Sequence, residues 1–190
     1  MALKKKYPSI RFEWYITTFE QYRREIDTEA EIDKYHLILC MDVLYYLNDL
    51  SDTLRHLYRL LKPKAVLGIT TICTKSVLGN FYLNYYKDKD YPVCLNSDED
   101  IMKVVTTSGW LTELKYTPVC VDMTSVIHNP MSEEANMLLD FITHVIDYRN
   151  SAPKSLVGDT LAYLTKNAEY QSDGKETVTN SKVEIIITKA

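Results

Sequence analysis

The sequence predicts an α/β fold, a mostly parallel sheet flanked by helices, and three observations carry it. Two stretches, His36–Met41 and Ala65–Cys73, are continuous apolar runs of strand length, the mark of strands covered on both faces. Between them, "DLSDTLRHLYRLLKP" repeats apolar residues at the helical period, at Leu54, Leu57, Tyr58 and Leu61. Strand and helix patterns then alternate toward the end of the chain, as strand–helix–strand units do.

Taken in order, Ile10–Tyr15 alternates apolar and polar residues and predicts a short strand. "TTFEQYRREID" predicts a short helix capped by Thr17 or Thr18. The helix after the first apolar strand has Ser51 as a cap and Pro63 as a stop. Beyond the second apolar strand, "NFYLNYYKDKDYP" is an aromatic-rich helical segment. "SDEDIMKVVTTSGW" reads as a helix with Ser97 as N-cap, an acidic first turn and Gly109 at its end. "LTELKYTPVCVDM" holds a strand, and helices follow in "MSEEANMLLDFITHVIDY" and, with Pro153 near its first turn, in "APKSLVGDTLAYLTKNA". "QSDGKET" is a turn and "KVEIIITK" a closing strand. No repeat or linker interrupts the chain, which reads as one domain over residues 1–190.

Composition excludes several function classes. A net charge of −4, with no basic stripe beyond Lys4–Lys6, argues against nucleic acid as a partner. No apolar run approaches the ~20 residues of a membrane span. The cysteines, Cys40, Cys73, Cys94 and Cys120, are scattered, and three lie in strand-like runs, so they read as reduced core thiols of a cytoplasmic protein. The five glycines form neither a G-x-G-x-x-G nor a phosphate loop, the four histidines lack metal-ligand spacing, and no G-x-S-x-G nucleophile motif is present. Asp98, Glu99 and Asp100 are explained by a helix N-terminus.

Ligands of open α/β sheets sit beyond the carboxyl ends of the strands. That rule directs attention to "DVLYY", Asp42–Tyr46, where the first apolar strand ends. Two adjacent tyrosines there serve either as packing or as the wall of an amphipathic pocket.

The string "YHLILCMDVLYYLNDLSDTLRHLYRLLKPKAVLGIT" resembles the fourth-to-fifth-strand region of class I S-adenosylmethionine-dependent methyltransferases. There a strand ends in a polar residue followed by leucine and two aromatics, and a helix ends in "LLKP". "IRFEW", "MDVLYYLNDL", Tyr91-Pro92, "SDEDI", "LLDFIT", "SAPKSL" and "KVEIIITKA" resemble, in the same order, the histamine N-methyltransferase-like family. The resemblance implies S-adenosyl-L-methionine as cofactor and a small amine or imidazole, such as histamine, as methyl acceptor. It implies in-line transfer that depends mainly on positioning in a dry aromatic cage. By position it assigns Tyr45, Tyr46, Tyr82, Tyr91 and Phe141 to the substrate wall, and Met41 to the adenine wall. Phe141, beside Leu138, Leu139 and Ile142, reads equally well as core.

The departures from the family are specific. Asp42 stands where the family has a glutamine that hydrogen-bonds the substrate ring. An ionised carboxylate there accepts only and favours an N–H-bearing partner. Phe19 replaces a serine that meets the adenine. A family asparagine that holds the substrate amine aligns with Ser181, and its neighbour Asn180 reaches that role only with a one-residue slip. The family's first two strands, glycine-rich loop and ribose-binding acid precede the region matched here. The expectation is therefore a partial Rossmann-like methyltransferase domain, corresponding to the C-terminal two-thirds, that binds cofactor weakly or not at all and is inactive as written. The alternative is a non-catalytic methyltransferase-like domain that pairs through an open apolar sheet edge with itself or a partner. A third reading, an enzyme whose Asp42 selects another amine, requires an upstream segment carrying the glycine loop.

Overall fold

The computed structural model describes residues 5–26, 32–47, 49–85 and 96–190. Helix α1 (Phe19–Ile26) precedes strand β1 (Tyr35–Met41), which ends in a 3-10 turn at Leu44–Tyr46. Helix α2 (Leu50–Leu60) runs directly into β2 (Leu61–Ile72). Helices α3 (Val77–Tyr85) and α4 (Asp98–Ser108) lead to β3 (Leu111–Thr117) and β4 (Cys120–Asp122). Then come α5 (Thr124–His128), α6 (Glu133–Thr143), α7 (Tyr148–Ser151), α8 (Lys154–Lys166), the hairpin strands β5 (Glu169–Tyr170) and β6 (Glu176–Thr179), and the closing strand β7 (Lys182–Thr188).

The main sheet has the order β1-β2-β7-β3. β1 and β2 are parallel, while β7 is antiparallel to both β2 and β3. The sheet is therefore mixed rather than mostly parallel, because the closing strand inserts between β2 and β3 in the opposite direction. Strand parity puts Cys40, Leu67, Ile69, Val183, Ile185 and Ile187 on one face, where they pack with Leu54 and Leu57 of α2 and Ile101 and Val105 of α4. A second apolar cluster joins Phe81 and Tyr82 of α3 to Met123, Val126, Leu139, Ile142, Tyr148 and Val178. It lies around the small sheet β4-β6-β5.

Local chemistry accounts for most element ends. Gln21 N donates to Thr18 Oγ1 at 3.1 Å, so Thr18 opens α1. Ser97 and Asp100 form a complete capping box on α4, and Gly109, at φ 67°, closes that helix in the left-handed conformation. Ser132 caps α6 through Ala135 N. Pro153 stands immediately before α8.

Several expectations are corrected. Ile10–Tyr15 is not a strand. Extended backbone needs a neighbouring strand to take its amides, and none among the described residues pairs with it. β1 is covered on one face only: Leu37, Leu39 and Met41 are 56%, 60% and 53% exposed. No strand among the described residues pairs with its outer edge. Asp49, not Ser51, caps α2 by accepting from Asp52 N at 2.9 Å. Pro63 lies inside β2, where the pairing with β1 is irregular between Tyr35 and Leu37. A bulge tolerates a residue that lacks an N–H. Helix α5, unforeseen in the sequence, follows β4. Cys120 is exposed, unlike buried Cys40 and Cys73, while Cys94 lies outside the described residues.

Candidate functional site

The parallel strands β1 and β2 end, and antiparallel β7 begins, at one edge of the main sheet. Topology thus collects Asp42, Thr70–Thr74 and Asn180–Lys182 from three distant parts of the chain. At that edge the backbone reverses at Asp42, whose φ is +52°. Aspartate is among the few side chains that tolerate this region. Thr70 holds the reversal: Asp42 N donates to Thr70 O at 3.0 Å and lies 3.2 Å from Thr70 Oγ1.

The turn Leu44–Tyr46 is fixed from outside. Buried Leu44 anchors it in the first core, and Asn96 Nδ2 donates to Leu44 O and Leu47 O, each at 2.8 Å. The Tyr45 and Tyr46 rings lie 4.5 Å apart at a tilted angle. Tyr45 is half-buried and Tyr46 is 54% exposed. Burial first, then Tyr46 and the charge of Asp42, push the Tyr45 phenol up, so it stays a protonated donor at neutral pH.

Across from Tyr45, α3 supplies the second wall. Ser76 caps α3, taking Gly79 N at 3.1 Å and donating to Cys73 O at 2.7 Å. The approach is so close that a Cβ on Gly79 would stand 2.0 Å from Cys73 O. Tyr82, one turn on, is buried, with its ring 5.8 Å from Phe81 and 5.7 Å from His144. Tyr45, Tyr82, Thr71, Thr74, Asn96 and Ser97 help line one shallow cleft that opens to solvent.

The sequence-derived candidates separate into groups. Tyr45 and Tyr82 share the cleft, and Tyr46 stands at its rim against Tyr45. Asp42 is not an unpaired acid, because Lys182 Nζ donates to its Oδ1 at 2.8 Å. Met41 lies on the exposed face at the end of β1, while Phe19 is half-buried on the other side, edge-on to His56 at 6.1 Å. The two do not form one wall. Phe141 is 67% exposed and is neither core nor cleft lining; its ring is 6.4 Å from His144. Ser181 O accepts from Cys73 N at 2.8 Å, tying β7 to β2. Asn180 N donates to Val119 O at 2.7 Å, and its Oδ1 is buried with no partner among the described residues. Tyr91 lies outside the described residues.

Sequence reasoning missed Lys182, Asn96 and Thr74. Lys182 meets Asp42 across 140 residues, through a strand insertion that no local spacing encodes. Asn96 directly precedes a helix cap, a position that reads as loop.

Met41 offers an exposed apolar surface at the end of β1, but the sequence holds no glycine spacing that would cradle S-adenosylmethionine, and no step is derived through the cofactor. Among the described residues, no helix is long and apolar enough to cross a membrane.

A family model described as a methyltransferase domain matches residues 6–135. Histamine N-methyltransferase of Xenopus tropicalis is 25% identical over 185 residues, covering 95% of this chain and 62% of that protein. The Cavia porcellus histamine N-methyltransferase is 26% identical over 164 residues, covering 82% of this chain and 54% of its own length. The chain thus spans at most about 62% of these two relatives. Among solved structures, a candidate methyltransferase of Bacillus halodurans superposes with a TM-score of 0.50 at 15% identity, over 85% of this chain and 67% of that one. This likeness shows the fold.

Proposed function

The chain belongs to the methyltransferase-domain family, and from that premise we propose that it carries the acceptor side of an S-adenosylmethionine-dependent N-methyltransferase site for a small amine or imidazole such as histamine. The observation that carries this reading is the pairing of Tyr45 and Tyr82 across one cleft at the carboxyl edge of β1 and β2. Aromatic faces favour cationic amines and exclude water. The resemblance to histamine N-methyltransferases over most of the chain supports the acceptor class. Asp42 faces the same edge but is neutralised by Lys182, so it sets polarity rather than supplying a free counter-charge. With Met41 as the exposed cofactor-side surface and no glycine loop in the sequence, these 190 residues hold S-adenosylmethionine weakly and do not turn over alone. Two buried thiols, Cys40 and Cys73, suit a reducing cytoplasm.

Calorimetric titration of the chain with histamine and with S-adenosylmethionine, alongside transfer of labelled methyl groups, tests this. Saturable histamine binding with weak cofactor binding and no label transfer is expected. Turnover overturns the inactivity, and absence of histamine binding overturns the acceptor assignment.

A second reading has its own support. The outer edge of β1, which no strand among the described residues pairs, and the exposed row Leu37, Leu39 and Met41 form an apolar strip that suits association of two copies in a non-catalytic domain. A monodisperse dimer in sedimentation, with no amine binding, favours it; a monomer at high concentration removes it.

A further inference from the structure

Asn96 has a side-chain orientation fixed by its neighbours. Its Nδ2 donates to the carbonyls of Leu44 and Leu47, each at 2.8 Å. A flipped amide would set Oδ1 against two carbonyl oxygens, so the network determines the assignment. Both amide protons are thereby used, and Oδ1, an acceptor, is what Asn96 has left for the cleft it lines.

A second unmet polar atom belongs to a residue that lines the same cleft. Thr74 lines it, and Thr74 Oγ1 is buried without a hydrogen-bond partner among the described residues. A buried hydroxyl left unmet is destabilising, which favours a ligand that meets it. The Thr74 backbone is held by the carboxylate of Asp98, which accepts from Thr74 N at 3.0 Å. Asp98 is only 4% exposed, and no cation pairs with it among the described residues. Two acceptors, a nearby buried negative charge and the tyrosine walls converge on one ligand chemistry. A protonated primary amine brings three N–H donors and a positive charge.

We infer that Asn96 and Thr74 form an ammonium-recognition site within the cleft: Asn96 Oδ1 and Thr74 Oγ1 accept N–H bonds from a primary amine between Tyr45 and Tyr82. Asn96 is at once a recognition residue and the positioning residue of the Tyr45 wall, because the same amide ties down the turn. The inference rests on the acceptor reading above and specifies the group by which an acceptor is held.

The test uses 2-phenylethylamine and its N,N,N-trimethyl analogue, which has the same charge and ring but no N–H. Both are titrated into the 190-residue chain by calorimetry. The wild-type chain is expected to prefer the primary amine by about tenfold or more, the value of one good charge-assisted hydrogen bond. Thr74→Val keeps the side-chain shape and the bond from Thr74 N to Asp98, and is expected to reduce the preference several-fold by weakening the primary amine more than the quaternary analogue. Asn96→Ala is expected to abolish the preference and weaken both probes, since it also releases the turn. Equal affinity for the two probes, no binding of either, or an unchanged preference in Thr74→Val overturns the inference. A parallel titration with histamine keeps the failures apart. A chain that selects 2-phenylethylamine over its trimethyl analogue but does not bind histamine overturns the acceptor assignment and leaves this site standing.

Discussion

At the residue scale, burial and pairing decide what each polar group offers. Burial pushes the Cys40 thiol from its ordinary 9.0 up to about 11. Between those values the folded chain keeps a proton that the unfolded chain has released, so stability falls as pH rises from about 9 toward 11. The loss amounts to about 2–3 kcal/mol. Thermal unfolding across that window should show the decline, and Cys40→Ala should make it shallower, most clearly below about pH 10, before the half-buried tyrosines contribute; an unchanged slope there would argue that Cys40 is not the cause. The same burial makes thiols selective. Among the described cysteines, a maleimide should label Cys120 first and spare Cys40 and Cys73, as peptide mapping would show. Lys182 governs Asp42 in a comparable way. Lys182→Met leaves the carboxylate unpaired and should tighten histamine binding several-fold, since a solvent-screened ion pair is worth about 1 kcal/mol or less. Weaker binding would mean that Lys182 itself serves the ligand.

At the scale of elements, the site depends on how tightly α3 and α4 are seated at the sheet edge. Gly79 has no room for a side chain against Cys73 O. Gly79→Ala should therefore destabilise the fold by roughly 1–3 kcal/mol through overpacking. A melting temperature within a degree of wild type would contradict that packing. Ser97→Ala removes half of the α4 capping box and should cost about 1 kcal/mol. Elements with strong local signals were legible in the sequence for this reason: Ser97, Gly109 and Thr18 act within a few residues of themselves. Tyr45 was legible because a strand end in an α/β fold is a predictable place for a ligand. What escaped was non-local. The outer face of β1 is open, although "HLILCM" reads as a doubly covered strand, because a periodic pattern records what the chain can bury and not what covers it. The Ile10–Tyr15 pattern likewise promised a strand whose partner is not among the described residues. Lys182 and Asn96 join the site only through tertiary topology.

At the scale of the whole molecule, the sheet carries its α2 and α4 layer on one face and an apolar strip on the other. Leu39→Lys on that strip should leave the melting temperature near wild type while suppressing any concentration-dependent association seen by sedimentation. Association that persists would place the contact elsewhere. The chain spans about 62% of the Xenopus tropicalis relative, and its five glycines form no glycine-rich loop. The direct measurement is a calorimetric titration of histamine into the chain, compared with Tyr45→Ala. Saturable binding that weakens several-fold in the variant, at an unchanged melting temperature, is the predicted result, since a half-buried aromatic contact to a cation contributes about 1 kcal/mol. No saturable binding, or equal binding by both proteins, would contradict the assignment of the cleft.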